Sequence, residues 1–109
     1  MDEASFKAES QSPDQSDLEV THSKWYGKKL TYTGKIIARV DYKGIRGYMI
    51  NIFDDKSRVS VLDFKKEFDF KKDQTVTFWG YGLGRVESKG LFGKDVGVFA
   101  IKAKYMEEV

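Results

Sequence analysis

The sequence predicts an all-β domain, built as a small antiparallel barrel of five strands. Three observations predict this fold class. Aromatic residues make up 15% of the 109 residues, and the chain has ten glycines but one proline, a balance that favours strands and tight turns. Apolar and polar residues alternate with a period of two in several segments. Clusters of glycine, or of aspartate, lysine and serine, separate those segments as turns separate strands.

The first twenty residues do not share this alternation. They include six acidic residues and one lysine, a formal charge of −5, whereas residues 21–109 include 18 basic and 11 acidic residues, a formal charge of +7. A segment with so few apolar residues cannot bury enough surface to offset the entropy lost on ordering. We therefore predict that residues 1–22 are a flexible acidic leader and that residues 23–109 form the barrel.

The first three strands are predicted as a meander. Residues 29–41 alternate with a period of two, and Gly34 indicates a bulge or sharp bend in this long first strand. Residues 42–47 contain two glycines and are predicted to form a hairpin loop. The next two strands, residues 48–53 and 58–64, are joined by a polar turn and form a hairpin.

A crossover and a second hairpin complete the prediction. Residues 64–73, FKKEFDFKKD, have phenylalanines four positions apart, which fits one helical turn or an irregular crossover better than a strand. Residues 74–81 form the clearest strand, with Phe78 on its inward face. Residues 82–95 contain four glycines and are predicted as a long hairpin loop before the fifth strand at residues 96–105.

This order of elements predicts the barrel type. A three-stranded meander, a crossover and a two-stranded hairpin occur in that order in the five-stranded Greek-key barrel of about 80 residues known as the OB fold. An SH3-like barrel is the alternative, but its strands are usually shorter and it lacks a crossover of this length. The predicted fold class is therefore an OB-type barrel with a helical turn or crossover between strands three and four.

Three segments resemble a known family. They are YGKKLTYTGKI at 26–36, DQTVTFWG at 73–80 and AIKAKYME at 100–107. They are similar to sequences of the tRNA-anticodon-like OB family, which includes uncharacterised lipoproteins and membrane-tethered proteins of Gram-positive bacteria. The matching motifs are structural. The resemblance implies the fold and an extracytoplasmic, membrane-anchored location, although no signal peptide or lipobox cysteine is seen and a cytoplasmic location stays open.

The residues predict neither an enzyme nor a cofactor site. The chain has no cysteine and one histidine, His22, so thiolate metal sites, catalytic triads and histidine metal clusters are excluded within one chain. Asp54 and Asp55 fit a turn better than a cation site, because no third carboxylate follows at EF-hand spacing. The glycines at 80–84 and 90–95 do not fit a phosphate-binding loop, which needs a Ser or Thr after its lysine and a helix behind it.

The candidate binding residues come from the strands and loops that OB folds use for ligands. OB folds bind oligonucleotides and oligosaccharides on strands two and three, flanked by the loop between strands one and two and the loop between strands four and five. These regions hold ten aromatic, cationic or amide residues: Tyr42, Lys43, Arg46, Tyr48, Asn51, Arg58, Arg85, Lys89, Phe92 and Lys94. Rings that stack on bases and cations that follow phosphates suit single-stranded nucleic acid. The alternative is that the aromatic residues fill the barrel interior.

Two functions follow as hypotheses. In the first, the domain is a non-catalytic binding module for single-stranded nucleic acid or another anionic polymer. In the second, it is an exported, anchored domain that binds protein partners. No transmembrane segment is expected, since no apolar run approaches the roughly 18 residues that a spanning helix needs.

Overall fold

The fold is a closed five-stranded barrel. The computed structural model describes residues 2–20, 22–42, 44–53, 57–89 and 95–109. The strands are β1 (Lys29–Tyr42), β2 (Ile45–Asn51), β3 (Arg58–Asp63), β4 (Thr75–Lys89) and β5 (Asp95–Glu108), and they close in the order β1-β2-β3-β5-β4. Three short helices precede the barrel: α1 (Glu3–Glu9), α2 (Gln15–Val20) and the 3₁₀-helix η1 (His22–Trp25). The predicted all-β barrel is confirmed.

One strand pair differs from the fully antiparallel barrel that we predicted. β3 and β5 are parallel, with Val59 aligned to Phe99 and Val61 to Ile101, whereas the other four pairs are antiparallel. The reason is topological. A ring with an odd number of strands cannot alternate in direction all the way round, so one neighbouring pair has to run the same way.

β1 bends because it pairs with a different strand at each end. Its first half pairs with β4 and its second half with β2, and Lys35 is aligned with both Thr75 and Asn51. At this crossing, a Cβ atom on Gly34 would overlap the backbone carbonyl of Asn51. The glycine thus permits two strands to approach closely, and the register shift of β1 lies a few residues later, between Ile36 and Ala38.

Several strands are longer than predicted. β2 begins at Ile45, so that most of the predicted loop at 42–47 is strand, and Gly44 turns the chain with a φ of 83°. β4 continues to Lys89 through the first half of the predicted loop at 82–95. Gly80 and Gly82 let backbone segments of β5 and η1 come close to β4, at the carbonyls of Lys102 and Trp25. Gly90 and Gly93, the other glycines of the predicted loop beside Gly84, lie outside the described residues.

The glycine at position 80 gives a testable prediction. A Cβ atom on Gly80 would overlap the backbone carbonyl of Lys102 on β5, which cannot rotate away. We expect Gly80→Ala to lower the free energy of unfolding by about 1–3 kcal/mol, the usual cost of overpacking. In Gly47→Ala, the matched control, the new Cβ meets its nearest atoms at 3.5 and 3.6 Å. Urea denaturation that found equal losses for the two variants would contradict this account.

The barrel interior is filled by alternate strand residues. Val76 and Phe78 are fully buried, while Trp79 is half-buried, so the predicted inward face of β4 is confirmed. The other fully buried barrel residues of large volume come from the remaining four strands: Leu30, Ile36, Tyr48, Ile50, Val59, Val61 and Ile101.

The crossover between β3 and β4 is irregular. Residues 64–74 form turns and extended structure, so the irregular crossover that we predicted as one of two forms is confirmed. Asp63, the last residue of β3, holds the start of the crossover. Its buried carboxylate accepts hydrogen bonds from the backbone N–H groups of Glu67 and Phe68 at 3.1 and 2.8 Å. Phe68 and Phe70 then pack against the core at this end of the barrel.

The N-terminal segment differs from the flexible leader that its composition predicts. Phe6 is 1% exposed, and its ring meets Tyr81 and Tyr105 edge-on, with ring centroids 5.1 and 5.6 Å apart. Leu18 is 3% exposed and joins the core cluster. Two apolar side chains thus find sites on the barrel that periodicity cannot reveal. The division of the chain between residues 22 and 23 stays a prediction. Within the described ranges, every helix is too short and too polar to cross a membrane.

Candidate binding pocket

Five of the ten predicted binding residues lie wholly or partly outside the described part of the chain. Lys43, Phe92 and Lys94 lie outside the described residues. The backbones of Tyr42 and Lys89 form the ends of β1 and β4, and the structure describes the backbone alone at these two positions. The candidate site therefore rests on the other five residues.

Tyr48 has a structural position. Its side chain is fully buried, and its hydroxyl donates a hydrogen bond to the Phe68 carbonyl at 3.0 Å and accepts one from the Phe70 N–H at 3.1 Å. A ring buried in this way cannot stack on a base. Tyr48 therefore fills the barrel and fixes the crossover, which corrects its assignment as a binding residue.

Arg46 is also engaged within the fold. Its side chain is 15% exposed and pairs with Asp41 at 3.2 Å, and its Nη1 donates to the Phe68 carbonyl at 2.6 Å. Neighbouring Arg39 pairs with Asp41 and with Asp69, and its hydrogen bond holds the pKa of the Asp69 carboxyl below its usual range. These contacts join the crossover to β1 and β2, so Arg46 is a positioning residue for the crossover.

Arg58 and Arg85 meet at a pocket of about 250 Å³. The pocket lies where the turn between β2 and β3, the β4–β5 hairpin and α2 come together, at the other end of β3 from the crossover. Both arginines are exposed. The remaining lining residues are mostly apolar: Leu18, Ile52, Phe53, Ser57, Val98 and Phe99.

Strand pairing sets the separation of the two arginines. Phe99 on β5 is aligned with Val59 on one side and with Arg85 on the other. Because neighbouring strands lie about 4.8 Å apart, the backbones of Arg58 and Arg85 are about 10 Å apart across β5. Two positive charges thus border the same apolar pocket although they are 27 positions apart in sequence.

An aromatic wall completes the pocket. The Phe53 ring is 36% exposed and meets Tyr32 edge-on, with centroids 5.5 Å apart. The Tyr32 hydroxyl donates to the backbone carbonyl of Pro13. Burial, and then the nearby charges of Asp14 and Asp17, raise the pKa of the Tyr32 phenol. The phenol therefore stays protonated, and remains a donor, throughout the physiological pH range.

Asn51 lies beside the pocket without lining it. It is the ladder partner of Arg58, and its half-buried side chain carries an oxygen, Oδ1, for which no hydrogen-bond partner is found among the described residues. Arg58 and Arg85 thus line one pocket and Asn51 lies beside Arg58. Tyr48 and Arg46 do not line this pocket.

The outer face of β2 and β3, where we expected much of the binding surface, is different in character. Because Tyr48 and Ile50 point inward, the residues between them point outward. Along most of its length this face carries glycine or small or aliphatic side chains, at Gly47, Met49, Ser60 and Leu62, none of which is fully buried, and Asn51 and Arg58 lie at its pocket end. The first four positions offer neither stacking rings nor cations.

Comparison with known proteins places the barrel among solved folds. No protein-family model matches the sequence, and neither does any curated protein. Aspartyl-tRNA synthetase from Entamoeba histolytica has a similar structure, with a TM-score of 0.65 and 11% identity over 99% of this chain and 23% of that chain. An OBody bound to hen egg-white lysozyme gives a TM-score of 0.61 and 10% identity over 79% of this chain and 85% of that chain. The barrel has an OB fold.

A third OB-like structure is the mitochondrial single-stranded DNA binding protein Rim1 from S. cerevisiae. Its TM-score is 0.53, with 12% identity over 76% of this chain and 94% of that chain. At these identities the similarity shows the fold alone, and this chain spans about a quarter of the synthetase that it matches. The resemblance to the tRNA-anticodon-like OB family is thus confirmed as far as the OB fold.

The pocket has the chemistry of an anion site with an apolar floor. Two guanidinium groups can each donate paired hydrogen bonds to a phosphate or carboxylate, and the apolar lining accepts a flat or aliphatic group beneath them. Among the residues that the structure describes, no group of three or more His, Cys, Asp or Glu side chains could hold a metal ion. Of the lining residues, Leu18, Val98 and Phe99 carry no signal in the sequence, because they meet only through folding.

Proposed function

We propose that this OB barrel is a non-catalytic module that binds single-stranded nucleic acid at the pocket between Arg58 and Arg85. One observation carries the proposal. Two exposed arginines from strands that are not neighbours border a single pocket whose other lining residues are mostly apolar and include the exposed Phe53. A broader form of the same proposal is binding of an anionic polymer of any kind.

The two arginines are available for a ligand. Arg39 and Arg46 are held by carboxylates of Asp41 and Asp69, whereas in the described part of the chain neither Arg58 nor Arg85 forms such an ion pair. An exposed guanidinium without a protein partner gives up only contacts with water when it binds a phosphate. The charge-assisted hydrogen bonds that it then forms are stronger than neutral ones.

Single-stranded nucleic acid fits both halves of the pocket. Its phosphates alternate with flat bases, which can stack on Phe53 or lie on the apolar floor while the arginines hold the backbone. Apart from the guanidinium groups, Ser57 supplies the only side-chain hydrogen-bonding group among the lining residues. We therefore expect little preference for base sequence. The compared single-stranded DNA binding protein supports the choice of ligand class.

The salt dependence of binding tests the proposal. Two arginine contacts predict that the logarithm of the association constant falls with the logarithm of salt concentration at a slope near −1.4, from about −0.7 per phosphate contacted. Fluorescence anisotropy with labelled oligonucleotides of about ten nucleotides, titrated from low to physiological salt, measures this slope. The absence of saturable binding below about 100 μM, the range of typical non-specific affinities, would reject the proposal. It would leave an exported, anchored domain that binds protein partners as the alternative.

A further inference from the structure

The acidic N-terminal segment, residues 2–18, forms part of the wall of the proposed pocket. Leu18 on α2 belongs both to the core cluster and to the pocket lining. The side-chain amide of Gln15 donates to the hydroxyl of Ser57, another lining residue, at 2.5 Å. This segment has five acidic residues and one lysine, and it therefore places negative charge where an anionic ligand would bind.

Between α1 and α2 the segment follows an edge of β1. The first half of β1 pairs with β4 along one edge. At the other edge, the Gln11 N–H donates to the Lys29 carbonyl and the Thr31 N–H donates to the Gln11 carbonyl, both at 2.9 Å. Ser12 Oγ adds a hydrogen bond to the Thr31 carbonyl. This edge leads directly to the pocket, because Tyr32 follows Thr31 and packs against Phe53.

The segment also brings negative charge to the aromatic wall. Asp14 and Asp17 lie close enough to Tyr32 for their charges to act on its phenol. A phosphate that passed the Phe53 ring toward the β1 edge would meet these carboxylates. An anionic ligand that extended from the pocket toward the β1 edge would therefore meet both the backbone of the segment and its negative charges.

The N-terminal segment consists of short helices with few apolar anchors on the barrel. Its helices have seven and six residues, well below the length at which an isolated helix is stable in water. Its main apolar anchors are Phe6 and Leu18. Segments of this kind open without unfolding the rest of a protein.

We propose that residues 2–18 are an intrachain competitor, which has to leave the β1 edge before a single strand longer than the pocket can bind. This proposal rests on the proposed function. A unit that fills only the pocket binds with the segment in place. A longer strand continues along the edge now occupied by Gln11 and Ser12, and its affinity is reduced by the work of displacing them.

Amide hydrogen exchange of the full chain tests the displacement. We expect a saturating twelve-nucleotide single strand to accelerate exchange of the Gln11 N–H at least ten-fold, because this group loses its bond to Lys29. The Ile36 N–H, which donates to the Gln74 carbonyl at 2.9 Å inside the barrel framework, is the internal control and should not accelerate. A dinucleotide should leave both rates unchanged.

A charge variant tests the competition separately. Asp14, just before α2, accepts a hydrogen bond from the Asp17 N–H at 2.8 Å and so caps this helix. Asn caps helices as well as Asp does, so Asp14→Asn with Asp17→Asn removes two charges and retains the cap. We expect about four-fold tighter binding of the twelve-nucleotide strand at low salt, for charges about 10 Å from the phosphates in a water-like dielectric. The matched control, Glu67→Gln with Asp73→Asn on the crossover, makes the same change in net charge and should have a smaller effect on affinity, because the crossover lies at the other end of β3 and the Coulomb energy falls with distance.

The outcomes separate this inference from the proposed function. If no variant binds the oligonucleotide, the proposed function fails and the competitor has no ligand to oppose. If the chain binds but Gln11 exchange is unchanged, and the two double variants bind equally, the segment is a fixed part of the wall and the inference is overturned while the binding function stands.

Discussion

Replacing Phe78 with alanine is expected to lower the free energy of unfolding by about 3–5 kcal/mol, the usual range for a buried phenylalanine. The side chain is fully buried and lies next to Tyr32 in the barrel, with ring centroids 6.2 Å apart. A closed barrel is held by strand pairing on every side, so it cannot collapse readily around the cavity. Urea denaturation measures the loss.

The control for this variant is Thr75→Ala, on the same strand. Thr75 is exposed, and an exposed substitution of this kind usually changes stability by less than about 0.5 kcal/mol. If Phe78→Ala cost less than about 1 kcal/mol, the inward face of β4 would be wrongly assigned and the register of the barrel with it.

Reversing the charges of both pocket arginines, in the double variant Arg58→Glu with Arg85→Glu, is expected to weaken oligonucleotide binding at least 100-fold at low salt. Hydrogen bonds to charged groups contribute about 1.5–3 kcal/mol each, and two such losses correspond to a factor of this size. The fold should be unaffected, because both side chains are exposed. Anisotropy titration measures the affinity, and thermal denaturation checks the stability.

The matched control is Lys71→Glu with Lys72→Glu. Both lysines are exposed and lie on the crossover, at the other end of β3 from the pocket, so the variant makes the same change in net charge. We expect a much smaller loss of affinity. Equal losses in the two double variants would mean that the ligand responds to the overall charge of the domain and that the pocket has no special role.

The sequence predicts the barrel well because its signals are local. Alternation along β4 placed Phe78 inside, and Gly34 lies next to the position where β1 changes partner from β4 to β2. The same alternation applies to β2, where Tyr48 and Ile50 share a face, and it favours the interior for Tyr48 over a ligand site. Its place in strand two, a ligand-binding strand of OB folds, selected Tyr48 as a binding residue, but its side chain lies on the inner face of that strand.

The N-terminal segment shows that local sequence signals do not predict contacts with distant residues. Its average composition is that of a disordered chain, but Phe6 and Leu18 find matching sites on a barrel that is formed by distant residues. Glycines gave a second ambiguity. In the segment after Gly80 they suggested a loop, whereas Gly82 lies in a continuous strand and permits the close approach of the Trp25 backbone.

The pocket could not be predicted as a unit. Of the ten candidate residues, Arg58 and Arg85 are the pair that the described structure brings to one pocket, and their proximity depends on the parallel pairing of β3 with β5. Arg58 and Arg85 lie on two strands with β5 between them. The spacing of residues in the sequence does not predict contacts of this kind. Arg46 looked equivalent to them, but Asp41 and the crossover hold its side chain.

The most direct test of the account is an NMR titration of the ¹⁵N-labelled full chain with a short single-stranded oligonucleotide at low salt. The account predicts that the amide shifts concentrate around the pocket, at Ile52, Arg58, Arg85 and Phe99. It would be contradicted by shifts that concentrate on the outer face of β2 and β3, at Gly47, Met49 and Leu62, or by the absence of shifts at ligand concentrations above about 100 μM.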